Sequence, residues 1–191
     1  MRVLLADDDA ERAGALAGVL AADTSLTVLR LEPGGSLAEA VATLHPDIVL
    51  VDMARPDRDA LDGIRQVTAL NDRPVVLFVD EDDPAFMEEA IGAGVTSYNA
   101  VGVKPPDVKP ILRAASAMFR RFQQAQVDLR DAEARLRARD IIDRAKAVLI
   151  KQRRISEPDA YKWLRRTAMS TGRRIVDVAG DVIGGTERTG E

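Results

Sequence analysis

Four short apolar runs punctuate the first eighty residues of this chain, Val3–Leu5, Thr27–Leu31, Ile48–Val51 and Val75–Val79, and a fifth strand is expected around Thr96–Ala100. Between them apolar side chains recur at helical spacing, as at Ala13, Leu16, Ala17 and Leu20, at Leu37, Ala40, Val41 and Leu44, and through Ala85–Ala93. Apolar runs without polar alternation read as strands covered on both faces. Strands that alternate with helices predict a parallel, doubly wound sheet. Ligands of such sheets bind beyond the carboxyl ends of the strands, so chemistry is expected there.

The second half changes character. No Gly or Pro interrupts Ile111–Leu149, which predicts one helix of unusual length. Met118, Phe122, Ala125, Leu129, Ala132 and Leu136 are spaced alternately four and three residues apart, the repeat of a coiled-coil seam, so dimerisation is expected. The apolar phase then shifts to Ile141, Ile142, Ala145, Val148 and Leu149, where a second small core begins. Ser156 can cap a helix with Pro158 in its first turn. Ala160, Trp163, Leu164, Thr167 and Ala168 form its apolar stripe, and Gly172 can end it. A third short helix is expected over Arg174–Ile183. The predicted divisions are 1–112 for the sheet domain, 113–138 for the linker helix, 139–184 for the bundle and 185–191 for a disordered tail.

Charge sharpens this division. Residues 1–112 carry 9 Lys and Arg against 20 Asp and Glu, whereas 113–191 carry 18 against 11. A basic rear on a chain of net charge −4 suggests a polyanionic partner, with a solvated helix surface as the blander reading. Zero cysteines exclude disulfides, Cys-ligated zinc, iron–sulfur clusters and thiol catalysis, and fit a reducing cytoplasm. No apolar run is long enough to span a membrane, and no secretory signal is expected at Met1. The single histidine, His45, precedes Pro46 at a helix end and reads as a surface residue, so histidine-based catalysis has no material here.

Asp7, Asp8 and Asp9 end the first run and Asp52 ends the third, in "PDIVLVDMARPDRD". The first and third strands of a doubly wound sheet are neighbours, so Asp7, Asp8 and Asp52 should converge where a hard cation such as magnesium could bind. "VLLADDD" followed by "DIVLVD" resembles the response-regulator receiver domain over about residues 1–112. The resemblance implies a flavodoxin-like five-stranded fold, magnesium at Asp7, Asp8 and Asp52, and Asp52 as acceptor of a phosphoryl group from a histidine kinase. The chain departs from that pattern in two places. Val79 stands where receivers usually carry Ser or Thr, and Val101 where they carry Lys; Lys104-Pro105 lies about three residues too late. Apolar side chains cannot hydrogen-bond a phosphoryl group. The expectation is therefore a receiver that serves mainly as a docking module. Tyr98 falls near the end of the fifth strand, where receivers often use an aromatic residue at an interface.

Arg139–Arg174 holds eleven Lys and Arg against four Asp and Glu. With the inward positions assigned, Arg144, Lys146, Lys151, Arg153, Arg154, Tyr161, Lys162, Arg165, Arg166, Arg173 and Arg174 must face solvent or ligand, and of these Lys146, Arg165 and Arg173, with Arg144, Arg166, Arg174 and Tyr161 behind them, are the expected RNA contacts. Arg139 and Arg144 can also pair with Asp140 and Asp143 along the helix. A helix–turn–helix is not expected, because the connection Lys151–Glu157 reads as long; exposed Arg, Lys and one aromatic suit RNA loops. "RDIIDRAKAVLIKQRRISEPDAYKWLRRTAMSTGRRIVDVAGDVI", residues 139–183, resembles the ANTAR domain, the RNA-binding module of the AmiR and NasT transcription antiterminators. Ala145–Ile150, Ala160-Tyr161, Leu164-Arg165 and Arg173–Ile175 carry the likeness. "VDMARPDRDAL" and "VVLFVDEDDP" look closer to NasT-type receivers than to ordinary ones. What the resemblance implies is a non-enzymatic antitermination regulator that binds paired stem-loops in nascent leader mRNA and acts as a homodimer. Its targets would be nitrate and nitrite assimilation genes, and a sensor related to nitrate-binding proteins would control it. The alternative is a DNA-binding response regulator that dimerises on phosphorylation.

Overall fold

The computed structural model describes the chain except residues 56, 70, 71, 101–103 and 186–191, and except the side chains of Arg58, Asp59 and Pro105. It contains two compact units, Met1–Gln123 and Gln124–Glu191. The first is built from β1 (Arg2–Asp7), α1 (Ala10–Ala21), β2 (Thr27–Arg30), α2 (Leu37–Leu44), β3 (Ile48–Met53), α3 (Arg58–Thr68), β4 (Val75–Val79), α4 (Pro84–Gly92), β5 (Ser97–Ala100) and the beginning of α5 (Pro105–Arg153). The five strands form one parallel sheet in the order β2-β1-β3-β4-β5.

The apolar runs are continuous because successive side chains enter different cores. Leu4, Ala6, Val49, Val51, Val75 and Leu77 pack with α2, α3 and α4 on one face. Val3, Leu5, Ile48, Leu50, Val76 and Phe78 pack with α1 and with Val108, Leu112 and Ala115 of α5 on the other. Acidic or hydroxyl caps start the covering helices: Asp9 accepts from the backbone N–H groups of Glu11 and Arg12, Ser36 from Glu39, and Asp83 from Ala85 and Phe86. Gly94 adopts φ 93°, and a Cβ there would lie 2.8 Å from Cβ of Thr68, so this turn needs glycine twice over. His45 caps α2 in the left-handed conformation and is exposed, as expected.

Helix α5 starts earlier than its Gly- and Pro-free stretch suggests. Pro105 and Pro106 sit in the first turn, where no helical donor is lost, whereas Pro110 lies within the helix and forgoes one backbone bond. Its C-terminal portion joins α6 (Glu157–Thr171) and α7 (Ile175–Gly184) in the second unit, around Ala145, Leu149, Ala160, Leu164, Ala168, Val178, Ala179 and Val182. Ser156 caps α6 and Gly172 ends it in the left-handed conformation, both as expected. The expected long connection Lys151–Glu157 is overturned. Helix α5 runs to Arg153 and only Arg154–Ser156 separate it from α6, because Arg154 takes φ 53° and reverses the chain without a glycine. The length of this connection therefore does not exclude a helix–turn–helix. Of the expected disordered tail, all but Gly185, the C-cap of α7, lies outside the described residues.

Candidate acidic pocket and nucleic-acid interface

The sheet brings the predicted acidic residues together. Asp7 and Asp52 are register partners at the ends of β1 and β3. The Asp7 side chain is fully buried, that of Asp52 almost so, and Asp8 faces solvent. Beside them opens a cavity of about 400 Å³ walled by Leu31, Leu37 and Met53. Burial pushes the Asp52 carboxyl up to about 6, reinforced by the charges of Asp7, Asp80 and Asp8 and opposed by Arg12.

Arg12 is the member that sequence reasoning missed. Asp9 opens α1 and places Arg12 in its first turn, four residues after Asp8. From there its Nε and Nη2 donate to Asp7 Oδ2 and Oδ1 at 3.1 and 2.7 Å, and Nη2 also reaches Asp8 Oδ1 at 2.6 Å. Asp52 and Asp80 each lie 3.6 Å from the guanidinium. The hydrogen bond to Asp7 raises the Arg12 pKa, burial opposing it. The available signal was that Arg–carboxylate spacing in the first helical turn. Magnesium, which the receiver family implies at Asp7, Asp8 and Asp52, does not fit the pocket as arranged, since both Asp7 oxygens already accept from Arg12. Among the described residues, no group of three ligating side chains could hold a metal ion.

The departures from the receiver pattern are visible in part. Val79 is buried at the end of β4. Val101 lies outside the described residues. Lys104 is exposed, and among the described residues no ion pair joins it to Asp52. Tyr98 packs edge-on against Phe86, ring centroids 6.3 Å apart.

In the bundle, the seven residues expected to touch RNA divide into two groups. Lys146 bridges Asp143 and Glu157, each at 2.7 Å. Arg173 pairs with Asp181 at 2.7 Å, Arg174 makes a forked contact with Asp177 at 3.0 Å, and Arg144 lies 3.8 Å from Asp140. Arg139 and Asp143 stand 3.8 Å apart, as the helical spacing anticipates. Arg165 and Arg166 are exposed and, among the described residues, have no acidic partner. With Lys162, Met169 and Ser170 they line a shallow depression of about 440 Å³ on the outer face of α6. The inner face of that helix carries Ala160, Leu164 and Ala168. Tyr161 is exposed, and Trp163 packs against the core with the Arg153 guanidinium 4.5 Å over its ring.

Two family models match successive parts of the chain. Residues 3–115 match the response regulator receiver domain and residues 130–183 match the ANTAR domain. The chain is 29% identical to "Transcriptional regulatory protein PdtaR" of Mycobacterium tuberculosis over 187 residues, 96% of this chain and 91% of that one. Its receiver part is similar in fold to the response regulator domain of Thermotoga maritima CheB, at TM-score 0.53 and 19% identity, over 61% of this chain and 96% of that one. The receiver domain of the putative response regulator NarL from Mycobacterium tuberculosis is similar at TM-score 0.52 and 23% identity, over 60% and 94%. Among the described residues no helix is long and apolar enough to cross a membrane. A receiver sheet followed by a helical ANTAR unit, in an order shared along nearly the whole of a transcriptional regulator, identifies the chain as a member of the ANTAR response regulator family.

Proposed function

We propose that this regulator binds paired stem-loops in nascent leader mRNA and so promotes transcription antitermination. The observation that carries the reading is the outer face of α6, where Arg165 and Arg166, beside Lys162, have no acidic partner among the described residues. A guanidinium without an internal carboxylate has its fork of donors free for phosphate, and each phosphate neutralised releases counterions. Tyr161, exposed one turn before Arg165, can stack on a splayed base, which RNA loops offer and duplex DNA does not. Lys146, Arg173, Arg174 and Arg144 form a second rank: their carboxylate contacts would have to be exchanged for phosphate.

The apolar seam of α5 supports a homodimer. Met118, Phe122, Leu129 and Leu136 are exposed large apolar side chains at heptad spacing, with Ala125 and Ala132 between them. Dimerisation supplies two bundles for two stem-loops and raises affinity through effective concentration. The NasT-like residues of the receiver support nitrate and nitrite assimilation genes as targets. They also favour input from a docked sensor related to nitrate-binding proteins, with a histidine kinase acting on Asp52 as the other route. A partner that binds one state better by a few kcal/mol suffices to switch RNA occupancy.

The test is a gel-shift competition at moderate salt between a two-hairpin leader RNA and duplex promoter DNA. Preference for the RNA is expected. Preference for the DNA would instead support the phosphorylation-dependent DNA-binding regulator.

A further inference from the structure

We infer that Arg12 is the resident cation of the receiver pocket, and that a divalent ion enters only by displacing it. Four carboxylates face this one guanidinium: Asp7 at 2.7 Å, Asp8 at 2.6 Å, and Asp52 and Asp80 at 3.6 Å. The contact with Asp7 is forked, one nitrogen to each oxygen, and Asp7 Oδ1 accepts a further bond from the backbone N–H of Asp9 at 2.8 Å. A metal ligated by Asp7 would have to compete for an oxygen already engaged. It would also stand beside a second positive charge in a partly buried pocket, where repulsion is poorly screened.

The arrangement follows from local structure. Asp9 accepts from the backbone N–H groups of Glu11 and Arg12 and so fixes the first turn of α1. Arg12 projects from that turn toward β1 and β3, and its side chain remains only about a quarter exposed. Leaving the pocket requires breaking both bonds to Asp7 and uncovering a fully buried carboxylate. That loss has to be offset by whatever enters. Charge in the pocket is thus partly neutralised without metal, and the receiver keeps its fold and surface irrespective of divalent ion concentration. This device suits a docking module whose state is set by a partner rather than by metal-assisted phosphorylation. The inference rests on the receiver fold alone and stands apart from RNA recognition.

The experiment titrates Mn²⁺ into full-length protein and into Arg12→Met and Arg12→Gln, following free ion by electron paramagnetic resonance. Circular dichroism first confirms that each variant is folded. At least one variant is expected to bind Mn²⁺ roughly tenfold or more tightly than the unaltered chain, with Asp52→Asn in the same background losing that gain. A smaller ratio, or no binding by any of them, overturns the inference. Should neither variant fold, the unaltered protein decides the matter through the Arg12 Nε–Hε resonance. In up to about 10 mM Mg²⁺, persistence of that resonance without Mg²⁺ binding, or its loss only as Mg²⁺ binds, supports the inference, whereas its persistence with Mg²⁺ bound at Asp7 and Asp52 overturns it. Leader RNA binding by the unaltered chain is measured alongside and is expected to be the same with chelator as with Mg²⁺-treated protein, so failure here is distinguishable from failure of the RNA reading.

Discussion

Arg12 grips both oxygens of Asp7, at 3.1 Å through Nε and 2.7 Å through Nη2, in the pocket where a receiver places its acidic residues. The neighbouring Asp52 is left nearly buried, with its carboxyl pushed up to about 6 chiefly by that burial. Ionised Asp52 is therefore costly to the fold. Because the folded value lies above the ordinary 3.8, the native state holds the proton more tightly, and stability falls as pH rises from about 4 to 6, levelling off above that. Asp52→Asn is expected to abolish this decline and to stabilise the receiver at pH 7 by on the order of 1–3 kcal/mol. Thermal melts in chelator across pH 4–8 check it, and equal curves for the two proteins would refute it.

The two ranks of basic residues in the bundle should separate in binding. Replacing Arg165 and Arg166 together by Ala removes two cations without acidic partners among the described residues. The expected result is a loss of about tenfold or more in leader affinity at moderate salt and a shallower salt dependence, by a slope of about 1–2. Lys146→Ala should cost less, since Asp143 and Glu157 already share its charge in the free protein. A Lys146 variant weaker than the double variant would reverse this ranking.

Dimerisation is tested at Leu129, which is exposed within the chain and lies at the middle of the heptad run. Leu129→Asp places charge in the seam without touching either core. Sedimentation should then report a monomer with unchanged helix content, while two-hairpin RNA binding falls toward that of a single hairpin.

Gly94→Ala addresses the receiver fold itself. Its φ of 93° and the 2.8 Å approach to Thr68 both oppose a methyl group. A destabilisation of about 1–3 kcal/mol is expected in denaturant titrations, with RNA affinity of the folded fraction unchanged.

Much of this protein is legible from its residues because the signals are periodic and local. Runs such as Val75–Val79 announce doubly covered strands, and a parallel sheet with β1 beside β3 necessarily brings Asp7 and Asp52 to one edge. Ser156, Pro158 and Gly172 mark their helix ends by chemistry that acts within a few residues. What stayed hidden depends on where side chains and turns meet in space. Arg12 looks like any surface cation until Asp9 fixes the turn that aims it into the pocket. The partnership of Lys146 with Glu157 exists only because Arg154, a residue with no intrinsic turn signal, adopts a left-handed conformation and folds α6 back within three residues. Pattern thus determined the sheet, the helices and the identity of the acidic and basic clusters. Tertiary structure alone decided which charges neutralise one another and which stay free to bind, since a Coulombic contact depends on distance and burial, neither of which is local in sequence.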